Sequence, residues 1–588
     1  MRLHHVFTGG LIGLLAACNS PTVSEKTSTA SDVVVTGGHR APSSEAAAAA
    51  DRRDTAEIAE VVAAAPVAPP PPPPVVMPML APARHAEAGL YRPAPEHRPE
   101  YGHEYRDVGR DRFASVAENA FKVVREEPVS TFSIDVDTAS YGFVRASLGR
   151  GVLPQPAAVR TEEMVNYFPY DYARPAAAEQ PFSTNLSMFP SPWAEGRKIV
   201  RIGIRGYAIE TAARPRANLV FLIDTSGSMN AANKLPLVRQ SLAMLVDQLG
   251  ADDHVAIVTY AGSAGVALEP TPASQKRKIL AVIDRLGAGG STAGAEGIRQ
   301  AYALAAQNID PDGVNRVILA TDGDFNVGIT SENELKGFVE RERGKGIFLS
   351  VLGFGMGNYN DALMQALAQN GNGAAAYIDT VAEARKTLVE EATSTLFPIA
   401  KDVKIQVEFN PAAVAEYRLV GYETRMLNRD DFDNDTVDAG DVGSGQTVTA
   451  LYEIVPVGGP RTIGDLRYSE DGSAAGRPAA AEGGEYGFVK IRYKLPKSET
   501  SRLISAPITT ASEVRRFEDA PQDARFAAGV AAFAELVRGG RYRGTMTYDD
   551  VIRIASASRG NDAFGYRTEF VQLVRAAKTA SSMAQLER

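Results

Sequence analysis

The sequence predicts an α/β protein built around a doubly wound, mostly parallel sheet. A β-rich domain drawn from both sides and a C-terminal helical segment flank this sheet. Two observations in residues 216–400 support the prediction. Short runs that are apolar throughout, typical of strands buried on both faces, alternate with amphipathic segments of helical period. Each apolar run is followed by such a segment, which is the chain order of a parallel sheet covered by helices on both faces.

The individual elements of this central domain can be assigned from the same pattern. Strands are expected at 218–223, 255–260, 317–320, 347–353 and 375–378. Helices are expected at 234–249, 275–286, 295–307, 332–343, 361–368 and 382–397. In open sheets of this kind, ligands bind at the carboxyl ends of the strands, where the strand order reverses. We therefore expect the functional chemistry at that edge.

The pattern differs on either side of the central domain. Three segments alternate apolar and polar residues, as strands with one buried face do: 198–206, 403–409 and 487–495. Because these segments come from both flanks, we expect residues 119–215 and 401–510 to contribute to one β-rich domain. Residues 511–588 are predicted to be helical. Their helical spacing places four apolar side chains on one face: Phe526, Val530, Phe533 and Val537.

The beginning of the sequence has the pattern of a secretory signal. Arg2 supplies a positive charge, and the apolar run 6–15 is too short to span a membrane. The Leu-Ala-Ala-Cys that ends at Cys18 resembles a bacterial lipobox, which implies removal of residues 1–17 and lipidation of Cys18. Asn19 at the next position resembles outer-membrane sorting. The expected location is the cell envelope, on a lipid anchor; a plain signal peptide with an incidental cysteine is the alternative.

Residues 18–118 are predicted to be a spacer that builds no core. They contain five consecutive alanines at 46–50 and six consecutive prolines at 69–74, and the proline tract favours extended polyproline II conformation. Such a segment would hold the folded part away from a lipid surface. Contact of its arginines with the cell wall or with anionic lipid is the alternative to a solvated, disordered chain.

Composition narrows the possible chemistry. The chain has one cysteine, Cys18, and His254 is its only histidine after residue 118. A Cys/His zinc site and a cysteine nucleophile are therefore excluded from the folded part, and a Ser-His-Asp triad would have to use His254. The net charge of −9 leaves no basic field for nucleic acid.

Polar side chains cluster where predicted strands end. Asp224, Ser226 and Ser228 follow the first strand in the run Asp-Thr-Ser-Gly-Ser, and Asp322 follows the third. Thr292 lies just before the third predicted helix. All these donors are oxygens, which suits Mg²⁺. Because three of them are neutral hydroxyls, a bound cation would stay electrophilic and would favour an external anionic ligand.

These five residues resemble the metal-ion-dependent adhesion site of von Willebrand factor type A domains, and every position of that pattern matches. The resemblance implies that the hydroxyls of Ser226, Ser228 and Thr292 bind Mg²⁺, Mn²⁺ or Ca²⁺ directly. It implies that Asp224 and Asp322 act directly or through water, and that a partner protein supplies an Asp or Glu. Across about 115–580 the chain resembles bacterial lipoproteins that carry this domain. The resulting expectation is a non-enzymatic, metal-dependent protein-binding module.

Two other functions stay open. A metal-dependent hydrolase at the same edge would need a general base, for which Asp324 and Glu296 are the nearby candidates. A structural envelope scaffold would use the flanking domains for its contacts and would hold the metal only incidentally.

Two further acidic motifs carry weaker expectations. Asp431, Asp433 and Asp435 partly mimic a calcium-binding loop, although the glycine at its sixth position and the glutamate at its twelfth are missing. Weak Ca²⁺ binding there is an alternative to a solvated acidic loop. Asp135 and Asp137 partly match an aspartyl-phosphate phosphatase signature, but a role at a turn or strand end is expected instead.

Overall fold

The computed structural model describes residues 111–134, 137–175, 179–210, 213–323, 332–464 and 484–586. The predicted signal, Cys18 and most of the predicted spacer lie outside these residues. The described chain forms a six-stranded α/β domain, two antiparallel sheets and a group of C-terminal helices, which confirms the predicted fold class. Within the described residues, no helix combines the length and the apolar character that a membrane crossing requires.

Strands and helices of the described residues are numbered in chain order. The strands are β1 (Lys122–Val123), β2 (Val129–Ser133), β3 (Phe182–Pro190), β4 (Lys198–Gly206), β5 (Ala217–Asp224), β6 (His254–Tyr260), β7 (Ala264–Pro272), β8 (Val314–Thr321), β9 (Ile347–Phe354), β10 (Ala375–Ile378), β11 (Pro398–Phe409), β12 (Val414–Val420), β13 (Met426–Leu427), β14 (Gly440–Gly443), β15 (Thr447–Pro456), β16 (Glu485–Lys494) and β17 (Ser501–Thr509). The helices are α1 (Ala139–Gly149), α2 (Thr161–Asn166), α3 (Leu235–Gln248), α4 (Lys276–Asp284), α5 (Gly294–Gln307), α6 (Glu332–Arg343), α7 (Asp361–Asn370), α8 (Val381–Arg385), α9 (Ala392–Leu396), α10 (Gln522–Arg538), α11 (Tyr548–Ala557) and α12 (Tyr566–Leu586).

The central sheet has the strand order β10-β9-β8-β5-β6-β7. Its strands are parallel except β7, which pairs antiparallel with β6 at one edge. The chain leaves β5 for β6 on one side and later returns to β8 on the other. The strand order therefore reverses at β5, and loops from both directions meet beyond its carboxyl end.

Both faces of this sheet are covered, which explains why its strands are apolar throughout. All eight residues of β5 are buried. Leu219 and Phe221 pack with α3, α4 and α8 on one face, whereas Val220 and Leu222 pack with α5, α6 and α7 on the other. Each such side chain contributes about 1.5–3 kcal/mol through burial, so the strand that carries Asp224 is rigidly held.

The predicted helix at 382–397 differs from the structure. It is divided into α8, a π-helical turn at Lys386–Glu390, and α9. The N–H of Glu391 donates to the carbonyl of Lys386 at 2.9 Å, five residues back. The wider turn accompanies burial of Lys386, whose ammonium lies 2.5 Å from the Glu391 carboxylate and 4.2 Å from the ring centre of Tyr167.

Both flanks build one pair of packed antiparallel sheets, as predicted. One sheet has the order β1-β12-β15-β4-β3, and the other has β13-β2-β11-β16-β17, with β14 also paired to β11. Strands β1 to β4 precede the central domain, and β11 to β17 follow it. Side chains from both sheets share a single core, for example Val200 and Ile202 of β4 with Ile405 and Val407 of β11.

The C-terminal helices pack with α1 and α2 around an aromatic core. The predicted apolar face of α10 is buried at all four positions: Phe526, Val530, Phe533 and Val537. The ring of Phe570 on α12 makes edge contacts to Phe168, Phe526 and Phe533, with ring centres 5.3–5.6 Å apart. These contacts tie the last helix to the N-terminal flank.

Candidate metal centre

The structure places the predicted loops side by side at the carboxyl edge of the central sheet. Asp224 is the last residue of β5, and Asp322 directly follows β8, its neighbour. Ser226 and Ser228 lie in the turn after β5, where their hydroxyl oxygens are 3.0 Å apart. Thr292 lies in the loop before α5.

Backbone and side-chain hydrogen bonds join these loops. The N–H of Gly227 donates to the carbonyl of Gly290 at 3.0 Å, and the N–H of Gly289 donates to the carbonyl of Thr225 at 2.8 Å. The Thr321 hydroxyl donates to Oδ2 of Asp224 at 3.3 Å, which connects the ends of β5 and β8. The three loops therefore hold one another in place through contacts of this chain alone.

The two carboxylates lie at the closed end of the site. Asp224 is 0% exposed and Asp322 is 1% exposed. Burial and, to a smaller extent, the charge of Asp322 raise the pKa of Asp224 to about 6, although hydrogen bonds from Ser226 and Thr321 act in the opposite direction. Two desolvated carboxylates at one edge favour the approach of a cation.

A lysine that the sequence analysis missed contacts one of these carboxylates. Nζ of Lys234, just before α3, donates to Oδ2 of Asp322 at 2.8 Å, and the lysine side chain is 11% exposed. Its stem crosses Gly355, where an added Cβ would lie 2.3 Å from Cε of Lys234. A lysine at the start of an amphipathic helix is ordinarily solvated, so the local pattern carried no signal of this contact.

The hydroxyl side of the site faces outward. Ser228 is exposed and Thr292 is half-buried, whereas Ser226 is buried with the two carboxylates. A group from another molecule would therefore reach a bound cation from the side of Ser228 and Thr292. The donor set of two carboxylates and three hydroxyls fits a hard divalent cation.

Nowhere in the described residues do three or more His, Cys, Asp or Glu side chains form a group that could hold a metal. The calcium expectation for the acidic loop gains no support from its geometry. Asp433 and Asp435 point to Arg492, at 3.4 Å and 3.0 Å, and the Asp431 carboxylate accepts the N–H of Asn428 at 2.8 Å. Two of the carboxylates therefore share an arginine and the third binds a backbone N–H, which leaves no group of three for a cation.

Of the two hydrolase candidates, the structure describes only Glu296. Glu296 is exposed, and its Oε2 accepts the N–H of Ala264 on β7 at 3.4 Å. Asp324 lies outside the described residues. Of the phosphatase-like pair, Asp135 also lies outside, whereas Asp137 binds Arg425 at 2.6 Å and accepts the N–H of Ala375 at 2.6 Å. Asp137 therefore joins the flanking sheet to the central one.

Asp111, inside the predicted spacer that ends at 118, contacts the central domain. Oδ1 of Asp111 accepts the N–H groups of Gly357 and Tyr359 at 2.7 Å and 2.8 Å. The same loop packs against Gly323, at which an added Cβ would lie 2.6 Å from the backbone nitrogen of Asn360. Residue 111 is thus attached to a loop that supports the Asp322 turn.

Comparison with known proteins agrees with this architecture. Residues 218–391 match the family model described as von Willebrand factor type A domain. Residues 107–201 match a model described as von Willebrand factor, and residues 394–580 match the model described as uncharacterized protein YfbK, C-terminal.

Among curated proteins, the chain is 42% identical to uncharacterized protein YfbK of Escherichia coli over 484 residues, which cover 81% of this chain and 83% of that one. It is 30% identical over 170 residues to the human inter-alpha-trypsin inhibitor heavy chain H4, which covers 27% of this chain and 18% of the relative.

Two solved structures show weaker likeness. A von Willebrand factor type A protein from Catenulispora acidiphila has a TM-score of 0.39 at 16% identity, with 68% of this chain and 91% of that one covered. Proximal thread matrix protein 1 from the mussel byssus, solved with a zinc-occupied metal-ion-dependent adhesion site, has a TM-score of 0.26 at 23% identity, with 30% and 46% covered. Family membership follows from the sequence matches: the chain belongs to the YfbK family and carries a von Willebrand factor type A domain at its centre.

Proposed function

We propose that this protein is a non-enzymatic, envelope-anchored binding module. It holds a divalent cation with five oxygen-bearing side chains: Asp224, Ser226, Ser228, Thr292 and Asp322. A partner protein supplies an Asp or Glu that completes the coordination from outside. The observation that carries this proposal is the meeting of three loops that enclose both carboxylates and leave Ser228 and Thr292 accessible from outside.

The charges of the site support an external carboxylate. Asp224 and Asp322 together contribute −2 when ionised, and Lys234, bound to Asp322, contributes +1. A divalent cation would bring the sum from −1 to +1, and one carboxylate from a partner would then neutralise it. A neutral ligand would leave a charge in a largely buried site, which is unfavourable.

The choice of cation follows from the donors. Oxygen ligands without nitrogen or sulfur suit Mg²⁺, which retains some water in such sites. Mn²⁺ and Ca²⁺ accept the same kind of donor. We propose Mg²⁺ as the resident ion, with Mn²⁺ or Ca²⁺ able to replace it.

Calorimetric titration with MgCl₂ tests the metal site. Asp224→Ala should abolish Mg²⁺ binding, because it removes a buried ligand at the end of β5. Asp284→Ala is the matched control, since this aspartate is 81% exposed and pairs with Arg239 on the surface. Unchanged Mg²⁺ affinity in Asp224→Ala would contradict the assignment.

Crosslinking in intact cells tests the partner. Proteins captured by the wild type should be lost from the Asp224→Ala variant and from EDTA-treated cells, as read by mass spectrometry. Capture that ignores both changes would favour a structural scaffold with an incidental metal. Turnover of ester, phosphate or peptide substrates by the purified protein would favour the hydrolase instead.

The proposal of a lipid anchor rests on the signal pattern and on Cys18, the only cysteine of the sequence. Labelling of cells with a palmitate analogue should mark the wild type and leave Cys18→Ser unmarked. The wild type should follow the outer-membrane fraction in a sucrose gradient, and Cys18→Ser should leave it. Equal membrane retention of both proteins would contradict lipid anchoring through Cys18.

A further inference from the structure

A cavity of about 500 Å³ lies where the central domain meets the flanking sheets. Its lining includes Arg316 and Ser350 from the central sheet, Asp441 and Gln446 from the region around β14, and Asn166 from α2. Arg316 is the third residue of β8, and Asp322 follows the last. At a rise of about 3.3 Å per residue, the two lie about 20 Å apart along the strand. The cavity is therefore separate from the metal centre.

Arg316 is the unusual group in this cavity. It is 3% exposed, and its Nη1 donates to the Ser350 hydroxyl at 2.6 Å. Its Nε makes no hydrogen bond within the described chain. Burial lowers the pKa of Arg316 to about 10, although the charge of Asp441 acts against this shift. A buried guanidinium whose charge and donors are incompletely matched is unfavourable, and a bound anion would relieve it.

Three other charged groups of the lining are bound within the chain. Glu391 lies 2.5 Å from Lys386, and Asp438 lies 2.5 Å from Arg343. Arg205 donates to the carbonyl of Tyr172 at 2.9 Å. Arg425 binds Asp137 at 2.6 Å, and the charge of Asp441 offsets that of Arg316 only in part. Arg316 is therefore the cation of the lining best able to take an incoming negative charge.

The remainder of the lining is rich in neutral hydrogen-bonding groups. It includes hydroxyls and amides from separate segments: Ser133, Thr138, Asn372, Thr387 and Ser394. Thr393 and Asp438 also line the cavity and are exposed, so it reaches the surface. Its volume lies within the range of small-molecule sites, which often form at junctions between domains.

We propose that this cavity binds a small polar molecule through an oxyanion group, a carboxylate or a phosphate, whose charge is taken by Arg316. The hydroxyls and amides of the lining bind the polar remainder of the molecule. Because the lining comes from the central domain and from both flanks, the ligand would join these parts of the chain.

Thermal unfolding of the full chain with sodium phosphate or sodium acetate tests this site. Sodium chloride at equal ionic strength is the reference. Both the wild type and Asp224→Ala are measured. The variant lacks the proposed metal centre, so acetate bound to a metal ion cannot account for its response. We expect a saturable rise in midpoint in both proteins. A response to phosphate alone or to acetate alone supports the site and identifies its oxyanion group.

Two variants tie the response to the cavity. Arg316→Met should weaken the apparent affinity for the active probe at least tenfold, whereas Arg205→Met, on the same lining, should retain it. Thr393→Trp, at an exposed rim position, blocks entry without altering a buried charge, and it serves if Arg316→Met does not fold. Absence of any saturable response in the wild type, or a response retained by Arg316→Met or by Thr393→Trp, overturns the proposal.

Discussion

Replacement of Lys234 directly tests how the negative charge of Asp322 is compensated in the metal centre. Lys234→Met keeps an unbranched stem over Gly355 but removes the ammonium 2.8 Å from Asp322. Both partners are buried, with the Asp322 side chain 0% exposed. Loss of one member of a buried ion pair leaves an uncompensated charge, so the metal-free variant should lose about 3–5 kcal/mol of unfolding free energy.

A bound divalent cation changes this expectation. The cation compensates Asp322, and its repulsion from the ammonium is gone in the variant. At an effective dielectric constant of about 20, two unit charges roughly 5 Å apart interact by about 3 kcal/mol. Removal of even part of that repulsion, about 1.4 kcal/mol, would raise the affinity for the cation tenfold. Lys234→Met should therefore bind Mg²⁺ at least tenfold more tightly than the wild type.

Urea unfolding in 1 mM EDTA and in 10 mM MgCl₂, together with Mg²⁺ calorimetry, measures both effects. The loss of stability should be larger in EDTA than in MgCl₂. Lys497→Met is the control, because Lys497 is 74% exposed and pairs with Asp312, which is 81% exposed, so about 1 kcal/mol or less is expected. Equal losses in the two solutions, or weaker Mg²⁺ binding, would refute the view that Lys234 opposes the cation.

Three further predictions concern other parts of the chain. Burial and two neighbouring glutamates raise the pKa of Glu162 from 4.5 to about 7, so its contribution to stability is full below pH 4.5 and is lost as the pH rises through 7. In urea unfolding, the free energy of unfolding of Glu162→Gln should exceed that of the wild type by up to about 3 kcal/mol at pH 8 and should match it near pH 4.5. A difference that does not change with pH would contradict this prediction. Phe570→Ala removes a fully buried ring and should cost about 3–5 kcal/mol in thermal unfolding, so a loss below about 1 kcal/mol would show that the helical core is loosely packed. Gly323→Ala places a Cβ 2.6 Å from the backbone nitrogen of Asn360 at a φ of +93°, so it should weaken Mg²⁺ binding. Gly289→Ala has open space around its Cβ and should not weaken it. Equal Mg²⁺ affinities of the two variants would contradict the view that close packing at Gly323 supports the metal site.

The central strands were predictable because burial on both faces demands continuous apolar runs. The predicted 218–223 and 347–353 lie within β5 and β9. Strand β7 was not predicted. It is an edge strand with two prolines and mixed exposure, so it shows neither the continuous nor the alternating pattern.

Other differences depend on long-range contacts. The π-helical turn at Lys386–Glu390 accompanies a lysine buried against Tyr167, far away in the sequence. The placement of Asp111 depends on two backbone N–H groups about 250 residues later. A local pattern contains neither partner.

The location of the candidate site was predictable from the sequence, but the ion pair between Lys234 and Asp322 inside it was not. Asp224 ends β5 and Asp322 directly follows the neighbouring parallel strand β8. Because the carboxyl ends of parallel strands share one edge of the sheet, their proximity followed from topology. The contact of Lys234 with Asp322 required the turn geometry before α3 and the space left by Gly355. Buried cations of this kind resemble ordinary surface residues in a sequence.

The attachment of Asp111 bears on how the protein would carry mechanical load. A pull on the preceding segment would enter the fold through the loop at Gly357 and Tyr359, beside the Asp322 turn. A partner seated on the cation would pull on the same edge. If the protein is tethered at Cys18, a force between the membrane and a partner would then pass through the loops at the carboxyl edge of the central sheet.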